Sequence, residues 1–269
     1  MEIPAARWFE AIGRRRSRRR FHPRPVEANL LEVLQRACTE VRPCSCARAV
    51  LAEGSSDEVF RGAVGPYGKV KGAPAFVAFI GDMDSPNVQE MVGYLGEGII
   101  LEATALNLAT CWVAGFFRPE VAASLAGAKG RERVLAVTPI GYAGEEWSLE
   151  EKIMAGFGRN HHRKPLAQLV EGGQGWEGDD WIPVALEAAR SAPSAVNRQP
   201  WRFHPEPGSI TVSVDTLRDT FHIAKRLDCG IAMLHLEVAV RHRGKDGRWE
   251  FLEAPRVARF RVESAAGRG

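Results

Sequence analysis

No apolar run in the 269 residues approaches the roughly 20 residues a helix needs to cross a bilayer. The opening Met1-Glu2-Ile3-Pro4 lacks the charged-then-apolar order of a signal peptide. A cytoplasmic protein without a membrane partner is therefore expected. Cysteine is scarce too: Cys38, Cys44, Cys46, Cys111 and Cys229 are odd in number and too sparse for a disulfide framework. The crowding of Cys38, Cys44 and Cys46 raises a metal or redox role, but neither gap has a common zinc spacing and no second pair follows. Small reduced thiols in or near the core, and no metal site, are expected. Walker A, HExxH and GxSxG patterns are missing, and Gly93-Tyr94-Leu95-Gly96-Glu97-Gly98 reads GxxGxG, not the dinucleotide fingerprint. These absences weigh against hydrolase and zinc-enzyme chemistry.

What is present is the balance of a soluble globular protein, 45% hydrophobic and 26% charged, long enough for two small domains or one duplicated unit. Only residues 264–269 offer nothing to bury. The formal charge of +3 is unevenly placed, because Arg14-Arg15-Arg16-Ser17-Arg18-Arg19-Arg20 alone holds six arginines. Without them 30 cations (36 less 6) face 33 acids. One short cluster on a mildly acidic protein suits a local anion site better than a nucleic-acid footprint, so no nucleic-acid partner is expected.

Hydrophobic periodicity predicts a helix over 5–13, with Trp8, Phe9 and Ile12 on one side, and another over 26–38. Residues 39–72 read as irregular. A strand is expected at 75–80, a buried helix at 98–112, a short helix at 119–126 and a strand at 133–139. The Gly/Trp/Asp-rich stretch Glu171 to Asp180 suggests a boundary, giving halves 1–170 and 171–269. The pattern then restarts with a helix at 181–190, a turn-rich segment Ser191 to Trp201, a strand at 209–214, an apolar helix at 230–242 and strands near 249–252 and 257–262. Pro43 and Gly98-Ile99 find counterparts in Pro193 and Gly230-Ile231, so duplication is expected.

Two segments carry candidate chemistry. In an extended Arg15 to Phe21 segment, Arg15, Ser17 and Arg19 project to one side, offering two guanidiniums and a hydroxyl to a phosphate and a polar ring edge. A solvated basic loop or an RNA-contacting tail is the other reading of that segment. In Ser191 to Trp201, proline and asparagine fix turns while serine, asparagine and glutamine present donors and acceptors. These groups can alternatively serve only to satisfy the backbone after a helix.

Arg-Arg-Ser-x-Arg-x-Phe near the start and Pro-Ser-x-x-Asn-x-Gln-Pro-Trp after a helix resemble the two hallmark segments of the FMN-dependent nitroreductase family. Leu106 to Phe116, Pro139-Ile140-Gly141-Tyr142 and Arg163-Lys164-Pro165-Leu166 are similar to further stretches of that family. The order of the hallmarks is unusual. The early slot reads Arg42-Pro43-Cys44-Ser45-Cys46-Ala47-Arg48-Ala49-Val50, a degraded copy, and the intact copy appears only in the second half. That is similar to the single-chain branch of the family, in which one polypeptide mimics the usual homodimer and keeps one complete site.

The resemblance implies an α+β fold with a mixed sheet in each half and the two apolar helices packed at the centre of an intramolecular pseudo-dimer, acting as a monomer. It implies FMN as cofactor and NAD(P)H as electron donor, with ping-pong transfer to a small electron-poor acceptor. Arg15 and Arg163, with His161 beside it, would clamp the phosphate. Ser17 would support the ribityl chain or phosphate, and Arg19 would lie near the N1/C2=O edge. Ala114 and Gly115 would lie near N5, and Pro193, Ser194 and Asn197 would close over the ring from the other half. No catalytic acid or base is implied. A flavin binder without turnover would share these motifs; a nucleic-acid binder would use only the arginines.

Overall fold

The computed structural model describes residues 2–54, 56–61, 70–144, 162–172, 178–219 and 222–263. The first sheet has strands β1 (Ala47–Glu53), β2 (Ala75–Asp82) and β3 (Glu132–Ile140) in that spatial order. The second has β4 (Trp201–Glu206), β5 (Ser209–Val214), β6 (Gly247–Phe251) and β7 (Arg256–Val262) in the order β4-β5-β7-β6. The helices are α1 (Ala5–Arg14), α2 (Ala28–Glu40), α3 (Asp57–Phe60), α4 (Val88–Ala105), α5 (Pro119–Leu125), α6 (Trp181–Arg190) and α7 (Lys225–His242). The α+β class is as expected, but the sheets are not mixed: all named strands pair antiparallel. The two-residue turn Pro207-Gly208, with Gly208 at φ 70°, folds β4 directly back onto β5, which permits only antiparallel pairing. Parallel pairing among the described residues is confined to the isolated bridges Ser17–Thr110, Arg20–Lys71 and Val170–Phe203.

Strand β2 shows why a fully apolar run belongs at the centre of its sheet. Ala75, Val77 and Phe79 enter the main core, while the alternating Phe76, Ala78 and Ile80 enter a second cluster with Val59, Phe60 and Ala122. Both faces are covered, so the usual polar alternation is absent. One strand runs through a segment expected to be irregular, and another begins where the turn-rich segment ends, over residues 202–206 to which periodicity assigns no element. β1 is a half-buried edge strand paired to β2 from Ala47 to Glu53. β4 contains Pro205, which an edge position tolerates.

The centre of the molecule is the pair α4 and α7, each of 18 residues. A Cβ added to Gly93 would lie 2.0 Å from the carbonyl oxygen of Leu227, and one added to Gly230 would lie 2.0 Å from that of Glu90. Each helix thus presses a glycine against the backbone of the other, three residues before the partner's own glycine. Gly230 therefore corresponds to Gly93 and not to Gly98, whose added Cβ meets Trp8 and Val41. The offset of 137 (230 less 93) also relates the helix starts, Val88 and Lys225, and the helix ends, Ala105 and His242.

The terminations match at the same offset. Asn107 sits at φ 60°, with Asn107 N–H donating to Thr104 O at 3.0 Å and Leu108 N–H to Ala103 O at 2.9 Å. Gly244 sits at φ 71°, with Gly244 N–H donating to Arg241 O at 2.9 Å and Lys245 N–H to Val240 O at 3.2 Å. Both are left-handed caps that satisfy the last carbonyls and turn the chain away. Asn107 is why the first of these helices stops at 105 instead of continuing to the expected 112, while its start lies ten residues before the expected 98 (98 less 88).

The buried faces of these helices are not purely apolar. Glu102 accepts from Trp8 Nε1 at 2.8 Å and Arg7 Nη2 at 2.7 Å. Glu237 accepts from Tyr94 Oη at 2.6 Å, Trp249 Nε1 at 2.8 Å and Arg241 Nε at 2.9 Å. Such partners are what make buried carboxylates tolerable. Helix α1 adds to the same centre, with Phe9 stacked on His242 at 4.2 Å between ring centroids. Downstream, Phe203 N–H donates to Leu169 O at 2.8 Å and Glu171 N–H to Phe203 O at 2.9 Å, which ties 169–171 to the second sheet.

Cys38, Cys111 and Cys229 are buried free thiols, as expected. Cys44 and Cys46 depart from that expectation, because they are joined to each other by a disulfide. The turn at Ser45-Cys46 folds the chain so that the two sulfurs meet across a single residue. Among the described residues no helix is long and apolar enough to cross a membrane.

Candidate functional site

The arginine segment leaves α1 at Arg15, whose φ −56° and ψ 127° switch the chain from helical to extended. Arg18 N–H donates to Thr110 O at 2.8 Å, and Lys71 N–H donates to Arg19 O at 3.0 Å, so neighbouring backbone on both sides holds the segment extended. Arg15 is 8% exposed and Arg16 is exposed, while Ser17 and Arg19 are half-buried. The Nε of Arg15 lies 3.8 Å from Glu97 Oε1, and its Nη1, also buried, has no hydrogen-bond partner among the described residues. Burial pushes the Arg15 pKa down and Glu97 opposes that shift. A guanidinium stays charged even so, which leaves a desolvated cation with one donor unspent.

The second cation comes from 148 residues further along (163 less 15). Arg163 donates through Nη1 to Asn197 Oδ1 and through Nη2 to Ser191 O at 3.1 Å. Its pKa is lowered to about 10, first by burial and then by the positive charges of Arg15 and Arg190, with Glu97 opposing. Contacts connect the two cations: Arg15 lies against Glu97, Glu97 pairs with His235, His235 reaches Ala188 O, and Arg163 holds Ser191 O three residues further along. Of the expected site residues, Arg15, Arg163 and Asn197 meet here. His161 lies outside the described residues.

The Ser191 to Trp201 segment is built on strained backbone. Val196, Asn197 and Gln199 have φ of 47°, 54° and 48°, a region that a β-branched residue such as Val196 rarely enters. Polar contacts hold it there. Asp228, buried in the first turn of α7, accepts from Ala195 N–H at 3.1 Å and from Arg198 Nε at 2.7 Å. Ser194 Oγ accepts from Gln199 N–H at 2.9 Å, and Gln199 Oε1 accepts from Lys164 N–H at 2.8 Å. Asn197 Nδ2 donates to His162 O at 3.0 Å, and Lys164 Nζ to Arg198 O at 2.9 Å. Residues 162–164 and 194–199 are thus zipped into one unit. Pro193 is buried at its base. Burial raises the Asp228 pKa to about 6 against the pull of Arg198.

Ala114 is half-buried against the core and Gly115 is exposed. Both follow Trp112, which connects this loop to the buried carboxylate beside Arg15. Trp112 Nε1 donates to Glu97 Oε2 at 2.6 Å, and its ring lies 4.9 Å from that of Phe79. Glu97 Oε1 also receives His235 Nε2 at 2.9 Å, and His235 Nδ1 lies 3.0 Å from Ala188 O. A carbonyl only accepts, so Nδ1 is the donor to Ala188 O. One fully buried carboxylate therefore touches Arg15, anchors the loop before Ala114, and reaches α6 and α7 through His235.

The profile of the family described as "Putative TM nitroreductase" matches residues 7–240, spanning both hallmark segments and both central helices. The chain belongs to this nitroreductase family. A protein from Thermotoga maritima described as a putative nitroreductase has a similar fold, with TM-score 0.65 and 19% identity over 96% of this chain and 94% of that one. A nitroreductase family protein from Clostridium difficile aligns over 62% of this chain and 98% of its own, with TM-score 0.46 and 19% identity. A nitroreductase from Bacteroides fragilis, solved with bound FMN, aligns over 51% and 89% with TM-score 0.42 and 18% identity. No curated protein matches the sequence.

Within this nitroreductase-family chain, motif reading names Arg15, Arg163 and Asn197 as candidates but not the groups that contact them. Glu97 and His235 stand in apolar helical stretches, where a charged or ionisable residue is itself a signal. Gln199 reads only as a general donor and acceptor in the hallmark segment, not as the group that ties it to Lys164. Asp228 carried no local signal, because its partners are some 30 residues away in sequence (228 less 198).

Proposed function

We propose that this chain is an FMN-dependent oxidoreductase that binds one FMN in a site shared by two halves of the polypeptide. The observation that carries the proposal is the buried Arg15, its Nη1 unpaired, lying within repulsive reach of Arg163. Two desolvated cations and a spare donor fit a dianionic phosphate. When bound, FMN supplies two-electron chemistry in two half-reactions, accepting from NAD(P)H and then donating to a small electron-poor acceptor such as a nitroaromatic or quinone.

We assign the residues as follows. Arg15 and Arg163 hold the phosphate, and Asn197 orients Arg163 through Oδ1. Ser17 supports the ribityl chain or phosphate, and Arg19 places positive charge near the N1/C2=O edge. Ser194 spends its oxygen on Gln199 N–H and keeps its hydroxyl hydrogen to donate. It closes over the ring with Pro193. Ala114 and Gly115 line the N5 side, where small residues leave room for a donor. No acid or base from the protein is assigned.

We infer that the halves form an intramolecular pseudo-dimer centred on α4 and α7 and working as a monomer. The matched lengths, glycines and caps of these helices support that reading. The ties of 162–164 to the 194–199 loop and of 169–171 to the second sheet favour dividing the halves between Gly144 and His162, ahead of 170/171. The test is a spectrum of the purified protein before and after NADH or NADPH, with released flavin measured per chain. One bleachable FMN per chain is expected. A yellow protein that neither nicotinamide bleaches overturns the enzymatic reading, and a colourless one that takes up no added FMN overturns the site.

A further inference from the structure

We propose that Cys44 and Cys46 form a reversible dithiol–disulfide site that exchanges with low-molecular-weight thiols and their disulfides. The bond closes across one residue, in the loop between α2 and β1. A cross-link so short constrains the unfolded chain very little, because stabilisation by a disulfide grows with the length of the loop it closes. The loop also has other anchors. Val41 and Ala47 on either side are buried in the core, and Cys46 O accepts from Asp82 N–H at 2.9 Å. The bond is therefore a poor candidate for a structural staple.

Access points the same way. Cys44 and Cys46 pack on one side against the core but are only half-buried, and Arg42, Pro43 and Ser45 around them are exposed, so the pair lies at the protein surface. The other three cysteines are buried, and burial pushes Cys38 up to about 12 and Cys229 well above the usual thiol range. Exchange requires a thiolate with access to its target, so cysteine redox chemistry is confined to this loop.

The exchange balances as follows. A small thiolate attacks one protein sulfur, forming a mixed disulfide, and the other protein sulfur leaves as a thiolate and takes a proton. A second small thiolate attacks the small-molecule sulfur of the mixed disulfide and frees the remaining protein thiol. Two small thiols become one small disulfide, and the protein pair gains two electrons and two protons. The site stands independently of the proposed flavin chemistry.

The test equilibrates the native chain in mixtures of glutathione and glutathione disulfide, traps the free thiols with a rapid excess of alkylating reagent at neutral pH, and reads the intact mass. Two alkyl groups should appear together as the mixture becomes reducing, without denaturant and with the thermal midpoint nearly unchanged. The buried three should label only after unfolding. Cys44→Ser should leave Cys46 carrying one glutathione in oxidising mixtures. A pair that is reduced only after unfolding, or whose reduction lowers the thermal midpoint by ten degrees or more, overturns the proposal. So does a pair that collects two glutathiones instead of closing.

Discussion

Pro43 and Pro193 each stand three residues after a helix, α2 ending at Glu40 and α6 at Arg190, yet the loops they begin are held in different ways. The first closes on itself through Cys44 and Cys46 and runs straight into β1. The second is forced into left-handed backbone at three non-glycine residues and is held by Asp228, Lys164 and the 162–164 segment. The second also hydrogen-bonds the part-buried guanidinium of Arg163, through Asn197 Oδ1 and Ser191 O. On the proposed pseudo-dimer, the contrast is between one loop shaped by long-range polar contacts and a counterpart closed locally by its own disulfide.

The largest expected effect comes from the carboxylate beneath the second loop. Glu97→Ala should lower stability by about 3–5 kcal/mol, because it strands Arg15, His235 and the Trp112 indole together in the core. Thermal or urea unfolding checks this, and a change under about 1 kcal/mol would mean that the network is not coupled as drawn. Next is Arg15→Ala, which should weaken FMN about ten- to a hundredfold by removing a charge-assisted contact worth roughly 1.5–3 kcal/mol. Riboflavin, lacking the phosphate, should be much less affected. Equal loss for both ligands would make Arg15 structural.

Asp228 sharpens the comparison through pH. Its folded pKa, near 6, is above the ordinary carboxylate value of 3.8, so its contribution to stability is fully present below about pH 4 and is lost as pH rises through 6. The clamp on Ala195 and Arg198 nevertheless works best with the carboxylate ionised. Riboflavin affinity should therefore fall on acidification through pH 6 while this group's contribution to stability rises, and Asp228→Asn should flatten both trends. Riboflavin is the ligand to use, since a phosphate monoester titrates in the same range. A riboflavin profile that stays sloped in Asp228→Asn would remove Asp228 from the loop's control. The smallest effect belongs to the first loop: Cys44→Ser should leave FMN affinity within about twofold, a difference of roughly 0.4 kcal/mol. A larger loss would mean that this loop also contributes to the flavin site.

Much of the framework was legible because its signals were local. The helix at 181–190 and the strand at 209–214 fall where hydrophobic periodicity placed them. The glycines of α4 misled, since Gly93, Gly96 and Gly98 read only as a glycine-rich stretch with the helix beginning at its end. Each is instead a point of close approach, to the Leu227 backbone, the Trp112 ring and the Trp8 ring respectively. β1 and β4 were hidden by neighbouring prolines and by charged residues suited to a sheet edge. In the site, Arg15, Arg163 and Asn197 were visible as motif residues, but Glu97 acts on partners brought in by tertiary packing. No window along the chain contains that information.

The shared site is tested most directly by a double-mutant cycle on FMN affinity with Arg15→Ala and Asn197→Ala, alone and together. If residues from the two halves act on one FMN, with Arg163 between them, the two losses should be coupled by about 1 kcal/mol or more. Losses that add within about 0.5 kcal/mol would contradict a single shared site.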